Sequence, residues 1–363
     1  MITIDLVAAA RPNFMKIAPL WHALAAESWA EPRIIHTGQH YDFAMSEVFF
    51  RELGLPAPHV NLGIGSGTHG QQAGRVLESY EAHLLRDRPD LVIVVGDVNA
   101  TPAAALAAVK LGIPVAHLEA GLRSFDRSMP EEINRRMTDA ICDFLWTPSE
   151  DADAHLLVEG IPQERITRVG NIMIDTLLML HPHIDANPVL QTVGLAERAY
   201  GVVTLHRPSN VDSKNQLAAL CEILRDCAKN LPLVFPVHPR TRARMEAFGL
   251  LDALCTKRIH LLDPQPYTAF MRLVSCSKLV ITDSGGVQEE TSYLGIPCLT
   301  LRENTERPIT VSLGTNQLVT LNQLYACFRG ALKQEVCPHT IPLWDGMAAN
   351  RVVEYIRKNL LRK

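Results

Sequence analysis

The segment ITDSGGVQEE, residues 281–290, places two glycines after an apolar run and two glutamates one helical turn later. Glycines let a phosphate approach the backbone, and the start of the following helix offers N–H groups and the positive end of the helix dipole. Glutamates so far into that helix cannot contact the same phosphate, but one of them can point along the ligand toward a ribose diol. The segment therefore predicts a nucleotide site. The sequence contains no G-x-x-x-x-G-K-[ST] motif, so an ATP-driven P-loop enzyme is not expected.

Other polar and charged residues follow apolar runs in the same way. They are Arg11 and Lys16 after the first run, Asp97 after LVIVVG, Glu119 after PVAHL, His206 and Arg207 after GVVTL, and His238 after LVFPV. Ligands of open parallel sheets bind beyond the carboxyl ends of the strands, so these residues predict two ligand-binding sheet edges. If the two edges face each other, the site is the cleft between two domains.

Each of these residues also has a purely structural interpretation. Asp97 could cap the helix that follows it, and a single histidine such as His206 or His238 could be a structural residue with satisfied hydrogen bonds. Glu131, which follows a proline, has the position of an ordinary acidic helix start. Glu119 is harder to explain structurally, because a carboxylate at the end of a buried strand is costly unless it is paired or used.

The composition limits the classes of partner. The chain has 363 residues, of which 47% are hydrophobic, and its net charge is −4. This length suggests two domains, and the charge argues against nucleic acid or an anionic membrane as the main partner. The N-terminus has no basic stretch before its apolar run, no apolar stretch is long enough to cross a bilayer, and the eight cysteines include no CxxC pair. We therefore expect a cytoplasmic protein with reduced thiols and no metal site.

Short apolar runs alternate with longer helical segments in both halves of the chain. Runs such as DLVIVVGD and KLVITDSG predict buried parallel strands, and stretches such as TPAAALAAVKLG predict the helices that cover them. The predicted fold class is α/β, with two doubly wound Rossmann-like domains facing a cleft. We expect an N-terminal domain over residues 1–170 and a C-terminal nucleotide-binding domain over residues 171–349, with a last helix at about 350–363 that packs back on the first domain.

Eight motifs occur in an order that is specific when they are taken together. They are ARPNFMKIAPL, TGQHYD, GDVNAT, HLEAGLRSFDRSMPEEINRRMTD, HRPSNVD, PVHPRTR, TDSGGVQEETSYLGIPCLTLRENTERP and GTNQLV. They closely resemble the UDP-N-acetylglucosamine 2-epimerase family, in its bacterial non-hydrolysing branch, from about residue 3 to residue 319. The resemblance implies the two-domain GT-B architecture of many nucleotide-sugar glycosyltransferases, with UDP in the C-terminal half.

The resemblance also implies roles for individual residues. The catalytic set that it implies is Asp97, Glu119, Glu131 and His206. The substrate and UDP-binding set is Arg11, Lys16, Arg135, His238, Ser284, Gly285, Gly286, Glu290 and Arg307, with residues 284–286 on the diphosphate and Glu290 on the ribose hydroxyls. A site at which some members bind a second UDP-sugar as activator is matched in part by Gln39, His40 and Arg207.

The family reaction inverts C2 of the sugar and interconverts UDP-N-acetylglucosamine (UDP-GlcNAc) and UDP-N-acetylmannosamine (UDP-ManNAc), which serves cell-surface polysaccharide synthesis. UDP is eliminated to leave a 2-acetamidoglucal and then adds again. Removing the weakly acidic C2 proton needs a base, and returning a proton to the opposite face needs a second acid–base group. Departing UDP develops negative charge that Arg11, His238 and the helix N-terminus can stabilise. The resemblance implies no cofactor and a homodimer.

Several positions depart from the family pattern. Asn13 stands where many members have glutamate, HRPSN replaces the commoner HRREN, and GDVNAT replaces a threonine-rich segment. Residues 65–72 also differ from the segment that helps to bind the activator in some members, so the match at that site is partial. These changes leave open a 2-epimerase for a different N-acyl sugar, such as a 2,3-diacetamido uronic acid.

Four functions fit these residues, and their products distinguish them. A non-hydrolysing epimerase accumulates UDP-ManNAc, whereas a hydrolysing relative releases free N-acetylmannosamine and UDP. A glycosyltransferase of the same architecture needs an acceptor, and a non-catalytic UDP-sugar sensor binds without turnover. The RPNFMK and HRPSN segments are more similar to the non-hydrolysing branch, which favours the first function.

Overall fold

The computed structural model describes residues 1–38, 50–337 and 340–361. The chain divides into two compact units. Unit 1 comprises Met1–Met179 and Pro342–Lys363, and unit 2 comprises Leu180–Ile341. The division falls within one helix, Ile172–Asp185. Each unit contains a parallel sheet and the helices that cover it, so the predicted fold class of two doubly wound α/β sheets is confirmed.

The sheet of unit 1 has the strand order β3-β2-β1-β4-β5-β6-β7 among the described residues. Its strands are β1 Ile2–Ala8, β2 Ala30–His36, β3 Val60–Asn61, β4 Leu91–Val95, β5 Val115–Leu118, β6 Phe144–Thr147 and β7 Ile166–Arg168. The order reverses between β1 and β4, which pair in parallel from Ile4↔Leu91 to Val7↔Val94. Such a switch point opens a crevice for ligands beyond the carboxyl ends of the two strands.

Helices cover the sheet of unit 1. They are Arg11–Ala25, His69–Leu84, Ala100–Lys110, Pro130–Ile141, Glu150–Val158 and Ala348–Asn359. Every residue of β4 is buried, which is why its sequence, LVIVV, is apolar throughout rather than alternating. The helix Ala348–Asn359 packs against Arg11–Ala25, within the same unit.

The sheet of unit 2 has the order β10-β9-β8-β11-β12-β13 among its described residues. Its strands are β8 Gly201–Thr204, β9 Leu233–Pro236, β10 Ile259–Leu262, β11 Leu279–Thr282, β12 Cys298–Leu301 and β13 Asn316–Val319. The switch point lies between β8 and β11, which pair in parallel. The covering helices are Val189–Val193, Pro208–Val211, Lys214–Ala228, Pro239–Phe248, Leu251–Leu254, Tyr267–Ser275, Gly285–Leu294, Ile309–Ser312 and Leu321–Ala331.

The apolar runs in the sequence predict β1, β2, β4, β5 and β6 of unit 1 and β8 to β12 of unit 2, and all of these strands are present. The analysis missed β3, β7 and β13, each of which lies at an edge of its sheet. Edge strands are paired on one side and are short or polar here, so they lack the apolar signal of a central strand. In the described ranges, no helix has both the length and the apolar character needed to cross a membrane.

Candidate functional site

Asp283, which follows β11, organises the switch point of unit 2. Its buried carboxylate accepts hydrogen bonds from the backbone N–H groups of His206 (3.0 Å) and Arg207 (2.8 Å) and from Asn210 Nδ2 (3.0 Å). His206 Nδ1 also lies 3.0 Å from Asp283 Oδ1. Burial by itself would raise the pKa of Asp283, but its partners, His206 first among them, lower it by more. Asp283 is therefore a carboxylate that holds the loop after β8 against the loop after β11.

The Asp283 carboxylate also selects the protonation pattern of His206. Because a carboxylate can only accept, Nδ1 of His206 carries a proton, and Nε2 is the ring nitrogen that Asp283 does not engage. His238 lies beside it, with ring centroids 5.3 Å apart. Its Nδ1 accepts from the backbone N–H of Arg240 at 3.2 Å. Partial burial and then the neighbouring His206 lower the pKa of His238, so this ring is neutral at pH 7.

The helix that begins at Gly285 follows this loop directly. Ser284 precedes the first turn in an extended conformation, and its hydroxyl makes no capping hydrogen bond. The two glycines are not equivalent. A Cβ on Gly285 would lie 2.5 Å from Glu306 Oε1 and 2.7 Å from Arg307 Nη1, whereas a Cβ on Gly286 would meet no atom within 4 Å. Gly285 is therefore needed for internal packing, and Gly286 borders open space from which a ligand can approach the helix N-terminus.

Glu289 belongs to a buried network of alternating charges. Its Oε2 lies 2.9 Å from Arg307 Nε, and Arg307 Nη1 donates to Glu306 Oε1 at 2.6 Å. Glu306 in turn pairs with Arg302 at 2.8 Å. All four side chains are at most 10% exposed. Arg307, which the family resemblance places among the substrate-binding residues, thus has two structural partners in this unit.

Glu290 has a different environment. Tyr267 donates its hydroxyl to Glu290 Oε1 at 2.7 Å. Burial is the largest influence on this carboxyl and, with the nearby charge of Glu289, raises the pKa of Glu290 to about 7, although the Tyr267 hydrogen bond opposes the rise. A buried carboxylate gains strongly from further hydroxyl donors, because each donor stabilises its charged form. A ribose diol would supply two such donors.

In unit 1, Glu119 follows β5 and forms an ion pair with Lys16. Both residues are buried, and Glu119 has a backbone φ of +72°. This left-handed conformation costs a residue with a side chain about 1 kcal/mol or more. Glu119 Oε1 is also buried and has no hydrogen-bond partner among the described residues. Backbone strain and an unsatisfied buried oxygen are both common at functional sites, so they are consistent with the predicted role of Glu119.

Asn13 joins the ends of β1 and β4, and Gly96 leaves room beside them for Lys16. Asn13 Oδ1 accepts from the backbone N–H of Ala10 at 3.0 Å, and its Nδ2 donates to the carbonyl of Val95 at 3.1 Å. A glutamate carboxylate could not make the second hydrogen bond, because it has no donor, so this departure from the family pattern has a structural role here. Gly96 leaves the space that Lys16 occupies, since a Cβ there would lie 2.8 Å from Lys16 Nζ.

Arg135 holds Asp97 and Glu132. Its Nη1 lies 2.6 Å from Asp97 Oδ2, and its Nη2 lies 2.7 Å from Glu132 Oε2. Glu132 also accepts from the backbone N–H of Ser124 at 2.8 Å. Burial would raise the pKa of Glu132, but Arg135 and Ser124 lower it by more. Of the two adjacent glutamates, Glu132 is thus a buried anchor and Glu131 is exposed.

The described residues of the predicted site fall into two groups, one in each unit. Unit 1 carries Arg11, Lys16, Asp97, Glu119, Glu131 and Arg135, and unit 2 carries His206, Arg207, His238, Ser284, Gly285, Gly286, Glu290 and Arg307. Arg11 is the exposed first residue of its helix, and Arg207 donates its Nε to the carbonyl of Asp283 at 3.0 Å. Gln39 and His40 lie outside the described residues.

The sequence analysis assigned no role to Asp283, Glu132 or Tyr267. Asp283 had a signal, because it is the charged residue directly after an apolar strand. Glu132 could have been found as the second glutamate of the PEE helix start. Tyr267 had none, since it lies 23 positions from its partner Glu290 and only the fold brings the two together.

Each sheet carries charged residues at its switch point, and the helix Gly285–Leu294 of unit 2, whose N-terminus has no side-chain cap, carries a buried glutamate about one turn after its start. These features define a nucleotide-binding α/β protein of the doubly wound class. Comparison with known proteins then gives the family. The family model for UDP-N-acetylglucosamine 2-epimerase matches residues 22–357, so the chain belongs to this family, as the motifs predicted.

Individual relatives agree with this assignment. The UDP-N-acetylglucosamine 2-epimerase of Methanocaldococcus jannaschii is 44% identical over 326 residues, which cover 88% of this chain and 89% of the relative. The UDP-2,3-diacetamido-2,3-dideoxy-D-glucuronate 2-epimerase of Pseudomonas aeruginosa is 39% identical over 358 residues, covering 97% and 98% of the two chains. A crystal structure of M. jannaschii UDP-GlcNAc 2-epimerase in complex with UDP-GlcNAc and UDP matches with a TM-score of 0.90 and 41% identity, over 99% of this chain and 100% of that one.

Proposed function

We propose that this protein interconverts UDP-GlcNAc and UDP-ManNAc without hydrolysis. The observation that carries the proposal is the unit 2 switch point, where the Asp283–His206 pair lies beside a helix N-terminus and a buried glutamate follows one turn later. The relatives named UDP-N-acetylglucosamine 2-epimerase, at up to 44% identity, support the choice of sugar nucleotide.

In this proposal, unit 2 binds the UDP part of the substrate. The backbone of residues 284–286 takes the diphosphate, since Gly286 borders open space and Ser284 does not cap the helix. Glu290 accepts hydrogen bonds from the ribose hydroxyls. Arg11 and His238 stabilise the charge that develops on departing UDP, and the helix N-terminus does the same through its dipole.

The proposed chemistry begins at C2 of the sugar. A base removes the C2 proton, the electron pair of the C–H bond forms the C1–C2 double bond, and the bond from C1 to the diphosphate oxygen breaks, which releases UDP. The resulting 2-acetamidoglucal then takes a proton on the opposite face of C2 while UDP adds to C1 again. We assign this acid–base work to Asp97, Glu119, Glu131 and His206 as a set, because removal and return of the proton on two faces need at least two groups.

Lys16 and Arg135 support this set from within unit 1. Lys16 pairs with Glu119, and Arg135 pairs with Asp97, so these two carboxylates of the set have fixed cationic partners. Fixed partners keep the carboxylates in a defined orientation, which acid–base catalysis at a single carbon requires. We further expect a cytoplasmic homodimer that serves polysaccharide synthesis, with UDP-GlcNAc acting at a second site as activator.

Incubation with UDP-GlcNAc in deuterated water, followed by proton NMR, tests the proposal. UDP-ManNAc that carries deuterium at C2 is the expected product. Free N-acetylmannosamine would instead establish the hydrolysing reaction. Unchanged UDP-GlcNAc would contradict this choice of substrate, provided that the sample binds UDP by calorimetry and that UDP-GlcNAc, which is also the proposed activator, is present in large excess over the protein.

A second candidate is 2-epimerisation of a UDP-2,3-diacetamido uronic acid. It is favoured by the 39% identity to the P. aeruginosa enzyme of that name over nearly the whole of both chains. The same NMR assay with that sugar nucleotide distinguishes the two substrates. A kcat/KM at least about tenfold higher for one substrate would identify it as the preferred one, because a tenfold ratio corresponds to about 1.4 kcal/mol of transition-state binding.

A further inference from the structure

His117 is a fully buried histidine in β5, two residues before Glu119. Its Nδ1 lies 2.6 Å from Asp139 Oδ1, and its Nε2 lies 2.9 Å from the backbone carbonyl oxygen of Gly96. One ring therefore connects β5 to the loop after β4 and to the helix Pro130–Ile141, which carries Asp139.

Both partners of the His117 ring are acceptors. The carbonyl of Gly96 has no proton to donate, and Asp139 is held as a carboxylate by Arg123, at 2.7 Å, and by the backbone N–H of Gly121, at 3.1 Å. Burial would raise the pKa of Asp139, but His117 and Arg123 lower it by more. Because both partners accept, the geometry predicts that Nδ1 and Nε2 of His117 each carry a proton and each donate a hydrogen bond.

The orientation of the Gly96 peptide, whose carbonyl His117 contacts, affects the residues on both sides of it. Gly96 has a φ of +67°, and a Cβ on it would lie 2.8 Å from Lys16 Nζ. Rotation of the Gly96 peptide would therefore move the backbone against Lys16 on one side and would shift Asp97 on the other. Lys16 is the partner of Glu119, so the geometry of both predicted carboxylates depends on this one peptide.

The third predicted carboxylate of unit 1 depends on the same connection. Asp139 lies on the helix whose first turn carries Glu131 and whose Arg135 binds Asp97. Asp139 also takes the backbone N–H of Gly121, in the loop that follows Glu119. The Asp139–His117 pair thus contacts all three segments that carry the predicted catalytic carboxylates of unit 1.

We propose that His117 is a positioning residue for the epimerisation: its ring, held by Asp139, fixes the Gly96 peptide and so sets the spacing between Asp97 and the Lys16–Glu119 pair. The inference rests on the proposed function, because it concerns the placement of the acid–base groups of that reaction. It assigns no contact with substrate to His117, which is inaccessible to solvent.

Two substitutions separate the two hydrogen bonds of the ring. His117→Asn places an amide N–H near the position of Nδ1 and keeps the Asp139 contact, but it leaves the Gly96 carbonyl without a donor. His117→Gln places an amide N–H near the position of Nε2 and keeps the Gly96 contact. We expect His117→Asn to lower kcat on the order of 10²-fold, with KM and the Kd for UDP unchanged, because a misplacement of about 1 Å costs that much. We expect His117→Gln to restore most of the loss.

His83→Asn is the matched control. His83 is also a buried histidine of unit 1 beside a carboxylate, with Nε2 at 3.8 Å from Asp5 Oδ2, but Asp5 lies within β1 rather than after its end. This variant should lower Tm without lowering kcat. A merely structural role for His117 would make the Asn and Gln variants equally slow at equal loss of Tm, which would overturn the proposal.

The wild-type protein provides a test that does not depend on the folding of a variant. With ¹⁵N-labelled histidine, NMR should show two slowly exchanging ring N–H protons on one buried histidine, and His117→Gln should remove both signals. A single ring proton on His117 would overturn the inference. Wild-type protein without epimerase activity would overturn the proposed function and this inference with it, whereas active wild-type protein and an equally active His117→Asn variant would overturn the inference alone.

Discussion

Gly285→Ala and Gly286→Ala form a pair of adjacent substitutions with opposite expected effects. A Cβ on Gly285 would lie 2.5 Å from Glu306 Oε1 and 2.7 Å from Arg307 Nη1, whereas a Cβ on Gly286 would meet no atom within 4 Å. The first substitution therefore strains the buried charge network behind the helix, and the second leaves that network untouched.

The magnitude for Gly285→Ala follows from the contacts. The Glu306 and Arg307 atoms would have to retreat by about 0.9 and 0.7 Å to reach ordinary contact, which begins at 3.4 Å. Both are ends of flexible side chains, but Arg302 holds Glu306 at 2.8 Å and Glu289 holds Arg307 at 2.9 Å. Overpacking of this kind costs about 1–3 kcal/mol. For a unit of this size, each kcal/mol lowers Tm by about 2–4 °C, so a fall between roughly 2 and 12 °C is expected.

Thermal unfolding followed by circular dichroism, together with calorimetry of UDP binding, measures both effects. Gly286→Ala should leave Tm unchanged or raise it slightly, because alanine reduces the freedom of the unfolded chain. It should weaken UDP binding by roughly tenfold or more, about 1.4 kcal/mol, since its methyl group fills the space at the helix N-terminus. Gly285→Ala with an unchanged Tm would refute the packing argument, and Gly286→Ala with wild-type affinity for UDP would refute the placement of the diphosphate.

Three further predictions concern the carboxylates. Folding raises the pKa of Glu290 from 4.5 to about 7, so between these pH values the unfolded chain loses the proton before the folded chain does, and the folded state loses stability as pH rises. Glu290→Gln should therefore raise Tm relative to wild type at pH 8 but not at pH 4. The same substitution should weaken UDP binding. Calorimetry of UDP binding and melts at both pH values check this, and an equal change in Tm at the two pH values would contradict it. Asp283→Asn should lower kcat by roughly 10²-fold, because the amide no longer fixes the proton on Nδ1 of His206. A kcat within twofold of wild type, which corresponds to a change of about 0.4 kcal/mol in activation free energy, would rule out that role. Glu132→Gln should lower the free energy of unfolding by about 2–3 kcal/mol, whereas Glu131→Gln should leave stability unchanged and lower kcat by 10²-fold or more. Denaturant melts measure the stability of both variants, and the NMR assay measures their kcat. The reverse pattern would exchange the roles of the two glutamates.

The central strands could be predicted because each satisfies a local rule. β4 and β11 are buried on both faces, so their residues must be apolar, and the polar residue that ends each run marks the carboxyl edge. The edge strands β3 and β13 escaped prediction because their burial and pairing are incomplete. The same rule predicted that Asp97, Glu119 and His206 lie at the carboxyl ends of strands, and each lies within two residues of a strand end.

Partners that are distant in the sequence could not be predicted. Tyr267 and Glu290 are 23 positions apart, and His117 reaches Gly96 across 21 positions. Glu131 and Glu132 both fit the first turn of an acidic helix, and both lie within one turn of Arg135, so the local sequence does not tell which of the two is buried. The fold decides, because it brings the backbone N–H of Ser124 to Glu132.

By itself, the sequence determined the alternation of strands and helices, the class of the fold and the family, because periodicity and contiguous motifs are local properties of the chain. The tertiary structure alone decided what each charged group is paired with. It packs Gly285 against Glu306 and Arg307 but leaves open space beside Gly286. It also pairs Glu289 with Arg307 and places Glu290 in a hydrogen bond with Tyr267. The physical reason is that the energy of a buried charge depends on neighbours that only folding brings within a few ångströms.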